Sequence, residues 1–158
     1  VAVGRSRVGA RVLTSRVIEG RMVGVSDWNQ QIIEEFRANE GHVGGPFEGA
    51  PLLLLHHTGR KSGTERVTPM MYQAVGDAYA VFASYAGADI HPAWYHNMLA
   101  NPDVSAEIGT ETVALRARDL PAGERDPVWE KQKKDYPGFA DYESKTDRTI
   151  PVVLLERR

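Results

Sequence analysis

Two apolar segments of strand length, residues 52–57 and 67–75, lie on either side of a short polar stretch that runs from Thr58 to Arg66. Gly59 and Gly63 let that stretch reverse the direction of the chain, because glycine adopts backbone conformations that other residues avoid. The pattern therefore predicts two neighbouring antiparallel strands joined by a cationic turn. Any fold of this chain has to pair these strands and leave the turn at one end of them.

The turn carries Arg60, Lys61 and Ser62 between its two glycines. Backbone N–H groups, a hydroxyl and two cations can point at a single anion there, and a phosphate group would suit them. A solvated hairpin tip, with charges that serve solubility, is the alternative interpretation. A nucleoside-triphosphate loop does not fit, because that motif has glycine immediately before Lys-Ser and a helix after it, whereas here Gly63 follows Ser62 and a strand comes next.

Further helical and strand-like patterns fill the rest of the chain. Ser26 is suited to begin a helix that ends near position 41, and the apolar face of this helix would carry Trp28, Ile32, Ile33 and Phe36. Strands are predicted at residues 78–85, 104–108, 112–117 and 150–155, and helices at residues 92–100 and 121–134. Consecutive hairpins favour an α+β fold in which six antiparallel strands form a barrel-like sheet with about three peripheral helices.

The amino-acid composition limits the kinds of functional site that this chain can contain. The 158 residues suit a single domain, and they include no cysteine, which excludes disulfides, thiolate nucleophiles, iron–sulfur clusters and thiolate zinc sites. The longest apolar run, residues 51–55, is far too short to cross a bilayer. Residues 22–158 hold 14 basic and 20 acidic side chains, and this acidic balance argues against general nucleic-acid binding.

Residues 1–21 differ from the rest, because they hold five arginines and one glutamate. This basic leader is read as an amphipathic segment on an anionic membrane, as a targeting peptide, or as sequence translated upstream of a start at Met22. We favour the last interpretation, and expect residues 1–21 to be disordered or non-native and residues 22–158 to form one domain. Val8, Val12, Leu13 and Val17 form a helical stripe, so weak contact with the inner face of the plasma membrane stays open for an otherwise cytoplasmic protein.

A second candidate site is the predicted helix after His91. Helical spacing places Trp94 near Asn97 and Met98, so that an aromatic ring, an amide and a flexible apolar side chain could share one face. Packing in the core is the alternative for Trp94, Met98 and Leu99. The histidine pairs at 56–57 and at 91 and 96 do not predict a metal site, because neighbouring strand residues point to opposite faces and no carboxylate or cysteine completes a ligand set.

A third candidate is the stretch before the last strand, where Tyr136, Phe139 and Tyr142 recur at intervals of three. Rings at this spacing can line one wall of a pocket, although packing alone would also explain them. Pro137 and Gly138 lie inside the stretch and favour a mobile flap over a rigid helix.

Together these motifs resemble those of a known family, the deazaflavin-dependent nitroreductases of actinobacteria. The resemblance covers roughly residues 51–155 and rests on the ordered series LLL (53–55), TGRKSG (58–63), Arg66-Val67 with Pro69, Ala83-Ser84, Pro92 with Trp94-Tyr95 and Asn97, NP (101–102), Tyr136-Pro137, Asp141-Tyr142 and TDRTIP (146–151). It implies a split β-barrel that binds coenzyme F-420, an 8-hydroxy-5-deazaflavin with a phosphate-linked oligoglutamate tail. It also implies transfer of a hydride from reduced F-420 to a quinone or nitroaromatic acceptor, with no metal.

Carried over residue by residue, the resemblance implies that Arg60, Lys61 and Ser62 meet the cofactor phosphate and that Arg66 meets the acidic tail. Ser84 and Tyr136 are the expected catalytic donors to the acceptor oxygen. The expected substrate contacts are Ser84, Tyr136, Phe139 and Tyr142. The remaining expected cofactor contacts are Val67, Thr68, Pro69, Met70, Met71, Tyr72, Phe82, Ala83, Ser84, Tyr85, Ala93, Trp94, Tyr95, His96, Asn97 and Phe139.

Two positions depart from the family pattern. Tyr85-Ala86-Gly87 stands where the family commonly has Lys-Gly-Gly, which removes a cation, and Phe139 stands where a tyrosine phenol is expected. The first departure concerns affinity for the cofactor tail and the second concerns nitro reduction. A non-catalytic carrier of F-420, and a split-barrel protein that binds FMN or haem, are the alternative functions.

Overall fold

The computed structural model describes residues 16–18, 21–23 and 25–158, with side chains from residue 27 onward. Within the leader, Arg16–Ile18 (β1) pairs antiparallel with Arg21–Val23 (β2). Most of residues 1–21 lie outside the described residues. The interpretation of the leader, and with it the domain boundary at position 22, therefore stays a prediction.

Six further strands close into one barrel: Leu52–Thr58 (β3), Glu65–Val75 (β4), Ala78–Phe82 (β5), Asp103–Ile108 (β6), Glu111–Asp119 (β7) and Val152–Arg157 (β8). Their order around the barrel is β3-β4-β5-β8-β7-β6, and every neighbouring pair is antiparallel. The six-stranded antiparallel barrel predicted from the hairpins is thus confirmed.

Four α-helices accompany the barrel in the described residues, one more than the sequence predicts. They are Val25–Ala38 (α1), Ala93–Ala100 (α2), Ala122–Asp135 (α3) and Gly138–Ser144 (α4). Two short 3-10 helices, Gly45–Phe47 and Tyr85–Gly87, lie in the connections. None of the helices in this part of the chain is long and apolar enough to span a membrane.

The first four residues of β3 are all leucine because both faces of this part of the strand are covered. Leu53 and Leu55 point into the barrel, where they join the core with Tyr95 and Met98 of α2, while Leu52 and Leu54 point outward beneath α1. β5 and β8 are likewise covered on both faces, because α3 and α4 pack over their outer side chains. A barrel strand whose outer face is covered by a helix carries apolar residues on both faces. Apolar and polar residues therefore do not alternate along it.

Helix α1 packs as its apolar pattern predicts. Ile32, Ile33 and Phe36 are buried and Trp28 is partly buried against the outer face of β3. The helix begins at Val25, one residue before the expected capping position, and the side chain of Ser26 lies outside the described residues. Gly41 follows the helix with φ +97°, and its N–H donates to the Phe36 carbonyl at 2.8 Å.

Two of the sequence predictions are wrong. The third predicted strand ends at Phe82, because Tyr85 and Ala86 have φ of 47° and 54° and turn the chain out of the sheet. The expected flap is helix α4: Pro137 precedes its first turn and Gly138 begins it, and proline is tolerated there because no helical N–H bond is required. The remaining predicted elements begin and end within about two residues of the observed ones.

Candidate functional site

The cationic turn between β3 and β4 is a closed loop. Gly59 N–H donates to the Thr64 carbonyl at 2.9 Å, and Gly63 N–H donates to the Gly59 carbonyl at 2.9 Å. Gly63 has φ +71°, and a Cβ atom on Gly59 would lie 2.6 Å from the Ser62 hydroxyl. Gly63 is therefore required by the observed backbone, as the sequence predicts, whereas a side chain at Gly59 would displace the Ser62 hydroxyl.

A cavity of about 260 Å³ opens beside this loop. It is lined by the loop, by β4 and by the first turn of α2, through Gly59, Arg60, Lys61, Ser62, Arg66, Ala93 and Asn97. No acidic residue lines it, and none of its three cations forms an ion pair within the described residues. Three cations without a carboxylate partner among the described residues, next to a helix N-terminus, make this cavity suited to an anion.

A larger opening of about 970 Å³ lies elsewhere, between the end of α1 and the loop that follows it. Its lining includes Glu35, Glu40 and Glu48 but no lysine or arginine. The charge there is wrong for a phosphate or an oligoglutamate. The smaller cavity is accordingly the candidate site.

A buried polar chain holds the cationic loop from inside the barrel. Asn97 of α2 accepts two hydrogen bonds from Arg60 at its Oδ1, from the backbone N–H and from the guanidinium, each at 3.1 Å. Asn97 Nδ2 donates to His57 Nδ1 at 3.1 Å, and His57 Nε2 donates to the Thr68 hydroxyl at 2.9 Å. Asn97 and His57 are each 3% exposed. The loop is therefore tied to β3, β4 and α2 at once.

This chain requires a neutral imidazole at His57. The ring accepts at Nδ1, so its single proton lies on Nε2. Burial, together with the charges of Arg66 and His56, lowers the pKa of His57 to about 4. Sequence reasoning considered this histidine only as a metal ligand and missed its role. A polar residue inside a buried apolar strand, directly before the loop, was the sequence feature that could have indicated this role.

Among the described residues no group of three metal-ligating side chains comes together.

The predicted contacts along β4 divide between two faces. Met70 and Tyr72 pack against the barrel interior, and Thr68 bonds to His57 on that side. Val67 and Met71 pack outward beneath α1. Because strand side chains alternate, only part of this predicted stretch can face one ligand.

The predicted contact residues of α2 also differ in their burial. Asn97 and Met98 are buried and Trp94 packs partly against the core, whereas Leu99 is 53% exposed. Tyr95 is buried, and its hydroxyl donates to Asp119 Oδ2 at 2.6 Å. Burial and this hydrogen bond raise the pKa of the Tyr95 phenol. The His96 ring stacks edge-on against Tyr95, at 5.6 Å between ring centroids.

The turn that follows β5, residues 83–88, packs against the stretch from Tyr136 to Tyr142. A Cβ atom on Gly87 would lie 2.8 Å from the Tyr142 carbonyl and 3.0 Å from Lys145 Cβ, so α4 packs directly on the turn. Ser84 is 8% exposed, and its hydroxyl has no hydrogen-bond partner among the described residues. Tyr85 is 54% exposed and faces solvent.

Phe139 belongs to an aromatic cluster outside the barrel. Its ring centroid lies 5.7 Å from that of Phe82, 6.1 Å from that of Trp129 and 5.4 Å from that of Tyr142. Glu143 of α4 anchors the cluster, because it accepts a hydrogen bond from Trp129 Nε1 at 2.7 Å. The lining of the 260 Å³ cavity does not include Phe82 or Phe139.

The closed six-stranded antiparallel barrel gives the chain a split-barrel fold. At the level of fold alone, the structure matches a putative pyridoxamine 5'-phosphate oxidase from Listeria innocua with a TM-score of 0.51, 11% identity and coverage of 83% of this chain and 94% of that one. A solved F420-H2 dependent reductase is 41% identical, with a TM-score of 0.62, and the match covers 67% of this chain and 94% of that chain.

Sequence comparison is more specific. Residues 28–157 match the family described as F420H(2)-dependent quinone reductase. A protein of that name from Mycobacterium tuberculosis is 39% identical over 129 residues, which are 78% of this chain and 85% of that protein. The chain belongs to this family of reductases, whose cofactor is coenzyme F-420. The family, the enzyme class and the cofactor expected from the sequence motifs are confirmed.

Proposed function

We propose that this chain transfers a hydride from reduced F-420 to a quinone, with nitroaromatic compounds as incidental acceptors. The observation that carries the proposal is the cavity in which Arg60, Lys61 and Arg66 converge without a carboxylate. Family membership and the name of the M. tuberculosis relative support quinones as the acceptor class.

The residues around the cavity fit an anionic cofactor. Arg60 and Lys61 supply the charges for a phosphate, the Ser62 hydroxyl supplies a further donor, and the N-terminus of α2 at Ala93 adds its helix dipole. Arg66 lies at the mouth of the barrel, where it would meet the acidic tail. Asn97 fixes the Arg60 guanidinium in advance, so less side-chain entropy is lost on binding.

When bound, the deazaflavin supplies the hydride from its C5 carbon. The protein then has to position the acceptor, exclude water and stabilise the charge that arrives on the acceptor oxygen. Ser84 and Tyr136 are the donors that we assign to this oxygen. The Ser84 hydroxyl is available because no described residue accepts its proton, and Tyr136 directly precedes the helix that packs on the Ser84 turn.

Helix α4 covers this end of the barrel. Its Phe139 and Tyr142 rings pack with Phe82 and exclude water from the outer face of β5. With phenylalanine at position 139 the cover lacks the phenol that the family resemblance places at this position. A nitro group would lack this donor, whereas a quinone oxygen can be met by Ser84, Tyr136 or water. We therefore place nitroaromatics second among the acceptors.

Titration of the purified protein with F-420, FMN and haem tests the cofactor, and anaerobic stopped-flow mixing of the F-420H₂ complex with a menadione-like quinone tests turnover. We expect F-420 to bind in preference to the others and its reduced form to be oxidised by the quinone. Binding of FMN or haem instead would overturn the proposal. Tight F-420 binding without oxidation would identify a carrier.

The donor role of Ser84 has a matched control. Ser84→Ala should lower kcat about tenfold, as expected for one lost transition-state hydrogen bond, while the Kd for F-420 stays within about twofold. Ser105→Ala removes a half-buried serine of β6 and should leave kcat unchanged. Equal rates in both variants would remove Ser84 from the mechanism.

A further inference from the structure

Arg148, in the connection between α4 and β8, binds the whole turn that follows β5. Its Nε donates to the Ala88 carbonyl at 2.8 Å, Nη1 to the Ala83 carbonyl at 3.1 Å, and Nη2 to the Ser84 carbonyl at 2.8 Å. Nη1 also donates to His91 Nδ1 at 2.9 Å. One guanidinium therefore joins both ends of the turn.

No carboxylate takes part in these bonds. Within the described residues Arg148 has no ion pair, and its acceptors are three carbonyls and an imidazole. A planar fork with five N–H donors in fixed directions matches such a set, whereas an ammonium group does not. The contact is thus specific for arginine.

The turn needs an external support of this kind. Tyr85 and Ala86 have positive φ, which is unfavourable for residues with a side chain, and only Gly87 adopts such a φ freely. Inside the turn there are two backbone bonds, from Gly87 N–H to the Ser84 carbonyl and from Ala88 N–H to the Tyr85 carbonyl. Strained backbone persists only where its surroundings determine it, and Arg148 donates three hydrogen bonds to carbonyls of this turn.

We propose that Arg148 is a positioning residue, which holds the strained turn so that the Ser84 hydroxyl faces the acceptor in the orientation that the reaction needs. The inference rests on the proposed function of Ser84. Among the described residues Arg148 forms no hydrogen bond or ion pair with the cationic loop or with the residues that line its cavity, so we assign its effect to turnover and not to cofactor affinity.

The first test needs neither cofactor nor activity. Amide hydrogen exchange is measured on the apo protein for Arg148→Lys, which keeps the charge but loses the fork, and for Arg148→Ala. The matched control is Arg158→Lys, because Arg158 also donates to two backbone carbonyls, those of Leu115 and Val104, at a distance from the turn. We expect the amides of residues 85–88 to exchange at least about tenfold faster in Arg148→Lys than in the parent or the control.

The second test is kinetic. Arg148→Lys should lower kcat with quinone about tenfold, with the Kd for F-420 within about twofold, while Arg158→Lys retains the parental kcat. If Arg148→Ala does not fold, Arg148→Lys alone decides. Unchanged exchange at residues 85–88 overturns the inference, as does an unchanged kcat. Faster exchange in a protein whose parent shows no turnover would confirm the clamp and refute the proposed function instead.

Discussion

Replacing His57 by phenylalanine should destabilise the protein by an amount that depends on pH. The variant keeps a ring in the buried site but leaves Asn97 Nδ2 and the Thr68 hydroxyl without their partner. A buried polar group that loses its hydrogen bond costs about 1–3 kcal/mol, so two such groups, one of them partly exposed, should cost about 2–4 kcal/mol at pH 7.5.

The parent protein loses this advantage in acid. The pKa of His57 is about 4 in the folded chain and about 6.5 in the unfolded chain. The unfolded state therefore binds a proton that the folded state does not, between these two values. The free energy of unfolding of the parent falls by about 3 kcal/mol in total as the pH falls through this window. The contribution of His57 is fully present above about pH 6.5.

Chemical denaturation of both proteins at pH 7.5, 6.0, 5.0 and 4.5 tests the reasoning, since other titrating groups cancel in the difference. We expect the difference in the free energy of unfolding to shrink by about 2–3 kcal/mol between pH 7.5 and pH 4.5. His42→Phe, at an exposed position, is the control and should follow the parent at every pH. If the difference in the free energy of unfolding between the two proteins stays constant with pH, the conclusion that His57 is buried and neutral is refuted.

Three further predictions concern ligands. Arg60→Ala combined with Lys61→Ala should weaken F-420 binding by about 2–4 kcal/mol in a fluorescence titration without lowering the melting temperature; unchanged affinity would return the loop to a solvated hairpin tip. Gly59→Ala should weaken binding several-fold, because the added methyl would lie 2.6 Å from a loop hydroxyl, whereas Gly123→Ala, with open space around it, should not. Phe139→Tyr should raise turnover of a nitroimidazole about tenfold and leave quinone turnover unchanged; equal gains on both would mean that this ring governs cofactor placement.

Helix and strand positions were largely readable because they depend on local pattern. Alternation, apolar runs and glycine placement predict all six barrel strands, and the hairpin order predicts their antiparallel pairing. The cationic loop was also local, because its charges and both glycines lie within six residues. A set of short motifs in order was sufficient to indicate the family and the cofactor.

Errors arose where a distant contact outweighed local preference. Pro137-Gly138 favours a mobile flap, but α4 packs on the turn after β5, and the aromatic cluster with Trp129 holds it as a helix. The expected continuation of β5 to Tyr85 fails for a similar reason, because Arg148, more than 60 residues away in the chain, stabilises a positive-φ turn there.

The sequence by itself determined the barrel strands and the charge of the loop, because these follow from periodicity and composition, and its ordered motifs indicated the cofactor through the family resemblance. Only the tertiary structure decided which polar groups meet. His57 and Asn97 are 40 residues apart and Ser84 and Arg148 are 64 apart, and each pair is joined by the closure of the barrel. Hydrogen bonds require particular atoms within about 3 Å, and that distance is set by packing and not by local pattern.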